Sequence, residues 1–134
     1  MMTRSLQKQH GVLLLEALIG ILIFSIGILA LVAMQATAVS QATDARYRSE
    51  ASYLADRMIG SIWANHGSNV GTLTASWVNE ISGSNPPLLP NATGVNAPTV
   101  VVAGNQVTVT VYWQAPGAST RSNHMAIAYM DFNP

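Results

Sequence analysis

The chain has 134 residues, with six lysines and arginines, six aspartates and glutamates, no cysteine, and a hydrophobic fraction of 49% against a charged fraction of 9%. This length suits one small domain, and the absence of cysteine excludes disulfides, thiolate zinc sites and a cysteine nucleophile. Because proteins that neutralise nucleic-acid phosphates carry a basic excess, the zero net charge predicts no nucleic-acid partner.

The hydrophobic excess is concentrated in residues 12–34, where only Glu16, Gly20, Ser25 and Gly27 fall outside the hydrophobic set. A helix of this length measures about 34 Å, which is enough to cross a hydrocarbon core of about 30 Å. The preceding segment, Met1 to Gly11, contains Arg4 and Lys8 and no acid. The apolar run is longer than that of a secretory signal and no small-residue cleavage site ends it, so we expect no ordinary signal-peptide removal.

Glu16 is the one charged residue in this apolar run. A carboxylate in hydrocarbon is costly, and such residues are usually paired or functional. Near the start of a helix, however, Glu16 could also reach the lipid headgroups or interact with the positive end of the helix dipole. Position alone leaves both interpretations open.

The segment Lys8-Gln9-His10-Gly11-Val12-Leu13-Leu14-Leu15-Glu16-Ala17 resembles the class III signal of type IV prepilins. The resemblance implies that a prepilin peptidase cuts between Gly11 and Val12 on the cytoplasmic side of the inner membrane and then methylates Val12. It also implies that Glu16 pairs, inside the assembled filament, with the amino-terminal charge of a neighbouring subunit. Val12 stands where most pilins have Phe.

Residues 35–66 are expected to continue the helix as an amphipathic second half. Apolar residues recur there at helical spacing: Tyr47, Ala51, Leu54, Ala55, Met58, Ile59, Ile62 and Trp63. Gly67 is expected to supply a left-handed cap. Residues 51–58 and 107–113 resemble the PilV group of minor pilins, the type IV pilus modification proteins.

Residues 67–98 are rich in Gly, Ser, Asn and Pro and predict a loop region with one short helix over 74–81. From residue 99 to 134 the period changes to two. Strands are predicted at 100–103, 106–113 and 124–130, with a hairpin turn at Gly104-Asn105 and a second turn at 115–117. Val107, Val109, Val111 and Trp113 share the face expected to be buried.

No catalytic motif, cofactor motif or metal-ligand spacing occurs, so we predict no enzyme activity, no cofactor and no metal. His66 and His124 stand singly, and Glu80 and Asp131 are interpreted as isolated carboxylates. Trp63, Trp77 and Trp113 fall on the apolar phase of their elements and are expected in the core.

The resulting prediction is an α+β, pilin-like fold in which a long N-terminal helix, membrane-spanning in its first half, packs on a small antiparallel sheet. Residues 1–11 would be a removed leader, and the C-terminal domain would lie in the periplasm. The resemblance implies a minor pilin that helps to initiate or modify a type IV pilus, supporting adhesion or twitching motility. Its partners would be the prepilin peptidase, the major pilin and other minor pilins, with the inner membrane as its location before assembly and the pilus afterwards.

Two other functions remain open at this point. The first is a minor pseudopilin of a type II secretion system, which shares the signal, the helix and the sheet. The second, of another class, is a single-span periplasmic enzyme or binding protein that keeps residues 1–11.

Overall fold

The computed structural model describes residues 10–65, 68–84 and 86–131. It contains helix α1 (His10–Ala64), helix α2 (Val70–Gly83), a 3₁₀ turn (Gly94–Asn96) and strands β1 (Thr99–Ala103), β2 (Gln106–Trp113) and β3 (Ser122–Tyr129). The strands form an antiparallel sheet in the order β1-β2-β3. The predicted fold class, an α+β arrangement with a long N-terminal helix and a small antiparallel sheet, is confirmed.

The chain divides into two units between Gln41 and Ala42. The first contains the N-terminal part of α1, and the second contains the rest of α1, α2 and the sheet. Residues 1–9 of the predicted leader, His66 and the predicted cap at Gly67 lie outside the described residues. Before that point α1 ends at Ala64, where the Asn65 side chain donates a 2.8 Å hydrogen bond to the Ser61 carbonyl.

The second part of α1 contributes one face to the core of the second unit. Ala51, Leu54, Ala55, Met58 and Ile62 are at most 1% exposed, which confirms the helical stripe predicted from the sequence. Burying a large apolar side chain of this kind contributes about 1.5–3 kcal/mol. The helix is therefore held in the unit by burial of this face.

The prediction that Trp63 belongs to the core is wrong, because its side chain is 60% exposed. Each helical residue advances the side-chain direction by about 100°. Trp63 therefore lies about 120° from the middle of the buried stripe, whereas Ile62 lies close to it. The predictions for Trp77 and Trp113 are confirmed, since both are buried.

The sheet covers the same core with one face of β2. Val107, Val109, Val111 and Trp113 are buried, as the alternating pattern predicts. Gly104 adopts φ +58 in the β1–β2 turn, a left-handed conformation that glycine reaches without strain. β3 begins two residues earlier than predicted, because Trp113 pairs with Ser122 and extends the ladder.

The region before the sheet is more ordered than a surface loop. α2 is longer than the predicted 74–81 helix and buries Trp77 and Ile81. Leu89 and Ala92 are also in the core. Two hydrogen bonds fix residues 89–92 in place. Ser82 Oγ donates to the Ala92 carbonyl (2.9 Å), and the Gln114 N–H donates to the Pro90 carbonyl (3.0 Å).

Candidate processing and assembly site

Gly11 and Val12, the residues on either side of the predicted cleavage point, lie in the first turn of α1. Both are exposed. A Cβ atom built on Gly11 meets no heavy atom within 4 Å outside the helix's own backbone and its chain neighbours. Replacing this glycine therefore introduces no clash, and any effect of such a variant on processing reports recognition of the glycine.

The apolar run 12–34 forms part of α1, and none of its side chains is buried by the described residues of the first unit. Every residue from Gly11 to Gln41 is exposed, including Leu15 at 58% and Phe24 at 69%. A helix that is hydrophobic on all sides is stable only inside a membrane or a larger protein core, and this one is long and apolar enough to cross a membrane. Single-pass membrane anchoring is compatible with this helix.

Glu16 is exposed and has no hydrogen-bond or ion-pair partner among the residues that the structure describes. It follows Val12 by four residues, so the two lie on the same helical face about 6 Å apart along the axis. Gly20 and Gly27 lie within about 40° of Glu16 around the helix, as the 100° step per residue dictates. Small residues on such a face allow another helix to approach closely beside the carboxylate.

The hydroxyl groups of Ser25 and Thr37 differ from Glu16, because each has a hydrogen-bond acceptor within the chain. Ser25 Oγ donates to the Ile21 carbonyl at 2.7 Å, and Thr37 Oγ1 donates to the Ala33 carbonyl at 3.1 Å. This back-bonding to the preceding turn removes the hydroxyl's need for water. Glu16 is thus the polar side chain of the 12–34 run that has no partner among the described residues.

The second unit contains a polar feature that sequence reasoning missed. Arg57 Nη2 donates a hydrogen bond of 2.5 Å to Glu80 Oε2, so Glu80 is not the isolated carboxylate that was predicted. This hydrogen bond raises the pKa of Arg57, partly opposed by burial of the guanidinium. The partners stand 23 residues apart on different helices, and no local sequence pattern signals such a pair.

The Arg57–Glu80 pair lines a cavity together with Met58, Leu73 and Trp77. Trp77 Nε1 is buried and has no hydrogen-bond partner in the part of the chain that the structure describes. Among residues 10–65, 68–84 and 86–131 no group of three or more His, Asp or Glu residues is placed to hold a metal ion. His124 is half-buried on β3. The described part of the second unit therefore contains an ion pair beside a cavity but no cluster of three metal-ligating residues.

Comparisons with protein-family models, with curated proteins and with solved structures find no match for this chain. The functional assignment therefore depends on the residues of α1 and on the fold that carries them.

Proposed function

We propose that this chain is a minor pilin, a structural subunit that helps to initiate or modify assembly of a type IV pilus. The precursor is anchored by α1 in the bacterial inner membrane with its second unit in the periplasm. A prepilin peptidase cuts between Gly11 and Val12 and methylates Val12. The processed subunit then joins the major pilin and other minor pilins in a filament that supports adhesion or twitching motility.

The observation that carries this proposal is Glu16, which has no partner among the described residues and is the one charge in the exposed apolar run 12–34 of α1. In a plain membrane anchor, a carboxylate five residues after Gly11 is unfavourable unless it reaches the lipid headgroups or the positive end of the helix dipole. A subunit that leaves the membrane for a helical filament core can pair that carboxylate with a second chain. The same helix runs on into a folded α+β unit, as this role requires.

Processing at Gly11 would supply the positive charge. Cleavage leaves an ammonium group at Val12, and both this group and the Glu16 carboxylate are costly in an apolar core unless they are paired. Two unit charges 4 Å apart attract by about 1 kcal/mol in bulk water but by about 4 kcal/mol at an effective dielectric constant of 20. Pairing between neighbouring subunits would therefore fix their axial register most strongly once water is excluded.

Removal of the leader also changes the charge of the subunit. The loss of Arg4 and Lys8 from six basic residues leaves four against six acidic ones, a formal net charge of minus two with histidine neutral. Glu16 is one of those six acids, and it is the one buried by assembly in this proposal.

The test replaces Glu16 by Ala and compares it with Ser25→Ala, a matched change on the same exposed helix. Ser25 is already satisfied by the Ile21 carbonyl, so its variant should assemble normally. We expect Glu16→Ala to be cleaved normally, as read by its size on a protein blot, but to be strongly reduced in sheared pili. Wild-type amounts of Glu16→Ala in the pili would contradict the pairing role, and co-purification with a secretion pseudopilus in place of pili would favour a pseudopilin.

A further inference from the structure

β3 is an edge strand that no other described strand pairs with on its outer side. It lies at one end of the sheet order β1-β2-β3, and its eight residues contain no Lys, Arg, Asp, Glu or Pro. Natural edge strands are usually blunted by such residues, because an open edge pairs readily with another strand. The outward-facing side chains of Met125 and Tyr129 are 56% and 73% exposed, and that of Ile127 is 48% exposed.

The backbone of β3 shows which of its groups are available for a further strand. The Met130 N–H donates to the Asn105 carbonyl at 2.7 Å, continuing the register in which Gln106 pairs with Tyr129. Because hydrogen-bonding direction alternates along an antiparallel strand, the even-numbered residues of β3 bond to β2. The odd-numbered residues, which carry the exposed side chains, direct their N–H and C=O groups away from the sheet.

A second copy of β3 fits this edge in one antiparallel register better than in its neighbours. With the two-fold axis at Ala126, Met125 lies opposite Ile127 of the second copy, and all outward backbone groups meet outward backbone groups. The same register places Arg121, just before β3, opposite Asp131 of the second copy, just after it. Moving the axis to Met125 would place Arg121 opposite Tyr129 and lose both charge pairs.

We propose that two copies of this chain associate through antiparallel pairing of their β3 strands about Ala126, which extends two three-stranded sheets into one of six strands. Arg121 is held near the edge by a 3.1 Å hydrogen bond to the Val95 carbonyl and by its position 4.6 Å from the centre of the Tyr112 ring. Its remaining N–H donors are sufficient for a carboxylate as well. Opposite charges at both ends of the paired strands favour this register.

This interface is small, so association is weak in dilute solution and forms where two copies are concentrated in one membrane. In that respect it rests on the membrane anchoring proposed above. Its partner is a second copy of the same chain, which distinguishes it from the helix-mediated contacts of assembly. Membrane association is measured separately by fractionation, so failure of anchoring and failure of strand pairing give different results.

The absence of cysteine from the chain makes disulfide trapping a direct test. In the proposed register Ala126 lies opposite itself in a non-hydrogen-bonded pair with a Cα separation of about 4.5 Å, within the range that a disulfide spans. Asn123, by contrast, is displaced from its own copy by six residues, or about 20 Å along the strands. Full-length Ala126→Cys should form a disulfide-linked dimer in cell membranes under mild oxidation, and full-length Asn123→Cys should yield at least about tenfold less.

Two substitutions at exposed residues serve as a control, because a change at the half-buried Ala126 could impair folding. Met125→Cys and Ile127→Cys, mixed in one membrane, should cross-link to each other, since these residues lie opposite one another in a pair about 5.5 Å apart. Equal cross-linking of Asn123→Cys and Ala126→Cys would overturn the proposal, because it would indicate random collision. Absence of cross-linking in both Ala126→Cys and the mixed pair would also overturn it.

Proline substitution provides an independent arm of the test. Ile127→Pro removes an N–H that points away from the sheet, so the β2–β3 ladder is kept while the outer pairing is blocked. In the Ala126→Cys chain, Ile127→Pro should reduce the cross-linked fraction at least about tenfold, equivalent to about 1.4 kcal/mol of pairing free energy, and Ile127→Val should leave it unchanged. Undiminished cross-linking in the proline variant would refute pairing through this edge.

Discussion

The rotational position of α1 against the core can be tested at two adjacent residues, Ile62 and Trp63. Ile62 is fully buried and Trp63 is 60% exposed. Ile62→Ala removes about three methyl or methylene groups at about 0.8 kcal/mol each. The cavity that remains adds to this loss, so we expect the free energy of unfolding to fall by about 2–5 kcal/mol.

Trp63→Ala removes a larger side chain from the adjacent position on the same helix. Because that side chain lies largely outside the core, the expected loss is only about 0.5 kcal/mol. At about 4–8 °C per kcal/mol for a domain of this size, Ile62→Ala should lower the Tm by more than about 8 °C and Trp63→Ala by less than about 4 °C. The ratio of the two effects is the quantity that the structure determines.

Thermal unfolding of the full-length protein in detergent, followed by near-ultraviolet circular dichroism, measures both effects. The buried Trp77 and Trp113 remain in each variant and report loss of packing in the second unit. A Trp63→Ala variant destabilised as much as Ile62→Ala would refute the helix phase described here. So would an Ile62→Ala variant with an unchanged Tm.

Three further predictions concern the sheet, the ion pair and the processing site. Gly104→Ala should lower the free energy of unfolding by about 1–2 kcal/mol, because a φ of +58 at this position strains any residue with a Cβ. Gly60→Ala should raise the free energy of unfolding by about 0.5–1 kcal/mol, because Gly60 lies in a helix with open space around it. Equal effects of the two variants in chemical denaturation would contradict this prediction. A double-mutant cycle of Arg57→Ala and Glu80→Ala should give a coupling of about 0.2–1 kcal/mol, since the pair is partly exposed. Because the Glu80 hydrogen bond raises the pKa of Arg57, its contribution to stability is fully present below the pKa of arginine in the unfolded chain and is lost only as the pH rises through the higher folded-state pKa. Titration of Arg57 should therefore not change stability between pH 5 and 9; a stability difference between the wild type and Arg57→Ala that varies with pH in that window would contradict the assignment. Gly11→Asp should block leader removal without lowering the Tm of the second unit, and a product of normal processed size would contradict recognition by a prepilin peptidase.

The sequence predicts those parts of the fold that repeat with a regular period. The alternation of Val107, Val109 and Val111 gives the buried face of β2, because neighbouring side chains on a strand point to opposite sides. The helical stripe through Leu54 and Met58 is found in the same way. Both patterns depend only on local geometry and on one face being buried.

Periodicity does not show how wide the buried stripe of α1 is, and for that reason it wrongly assigns Trp63 to the core. Neither does it reveal that Leu89, in a proline-rich segment, reaches the core, because that depends on how the segment folds over the second unit. The Arg57–Glu80 pair joins two helices and leaves no mark in local sequence. Tertiary contacts decide all three cases.

For the candidate site, the sequence identifies Gly11, Val12 and Glu16, and the structure adds their surroundings. It places all three near the start of α1, exposed, with Glu16 unpartnered among the described residues. It also places Gly20 and Gly27 on the helical face that carries Glu16, by the geometry of the helix. In the proposed function, the partner of Glu16 is the amino-terminal ammonium group of a neighbouring subunit.

The central claim is that this chain is a prepilin whose mature form starts after Gly11. Mass spectrometry of the intact protein, purified from the membranes of a bacterium that contains a prepilin peptidase, measures this directly. The proposed function predicts a mature chain that begins at an N-methylated Val12 and lacks residues 1–11. A membrane-bound protein that retains Met1 to Gly11 would contradict the claim and favour a single-span anchored protein.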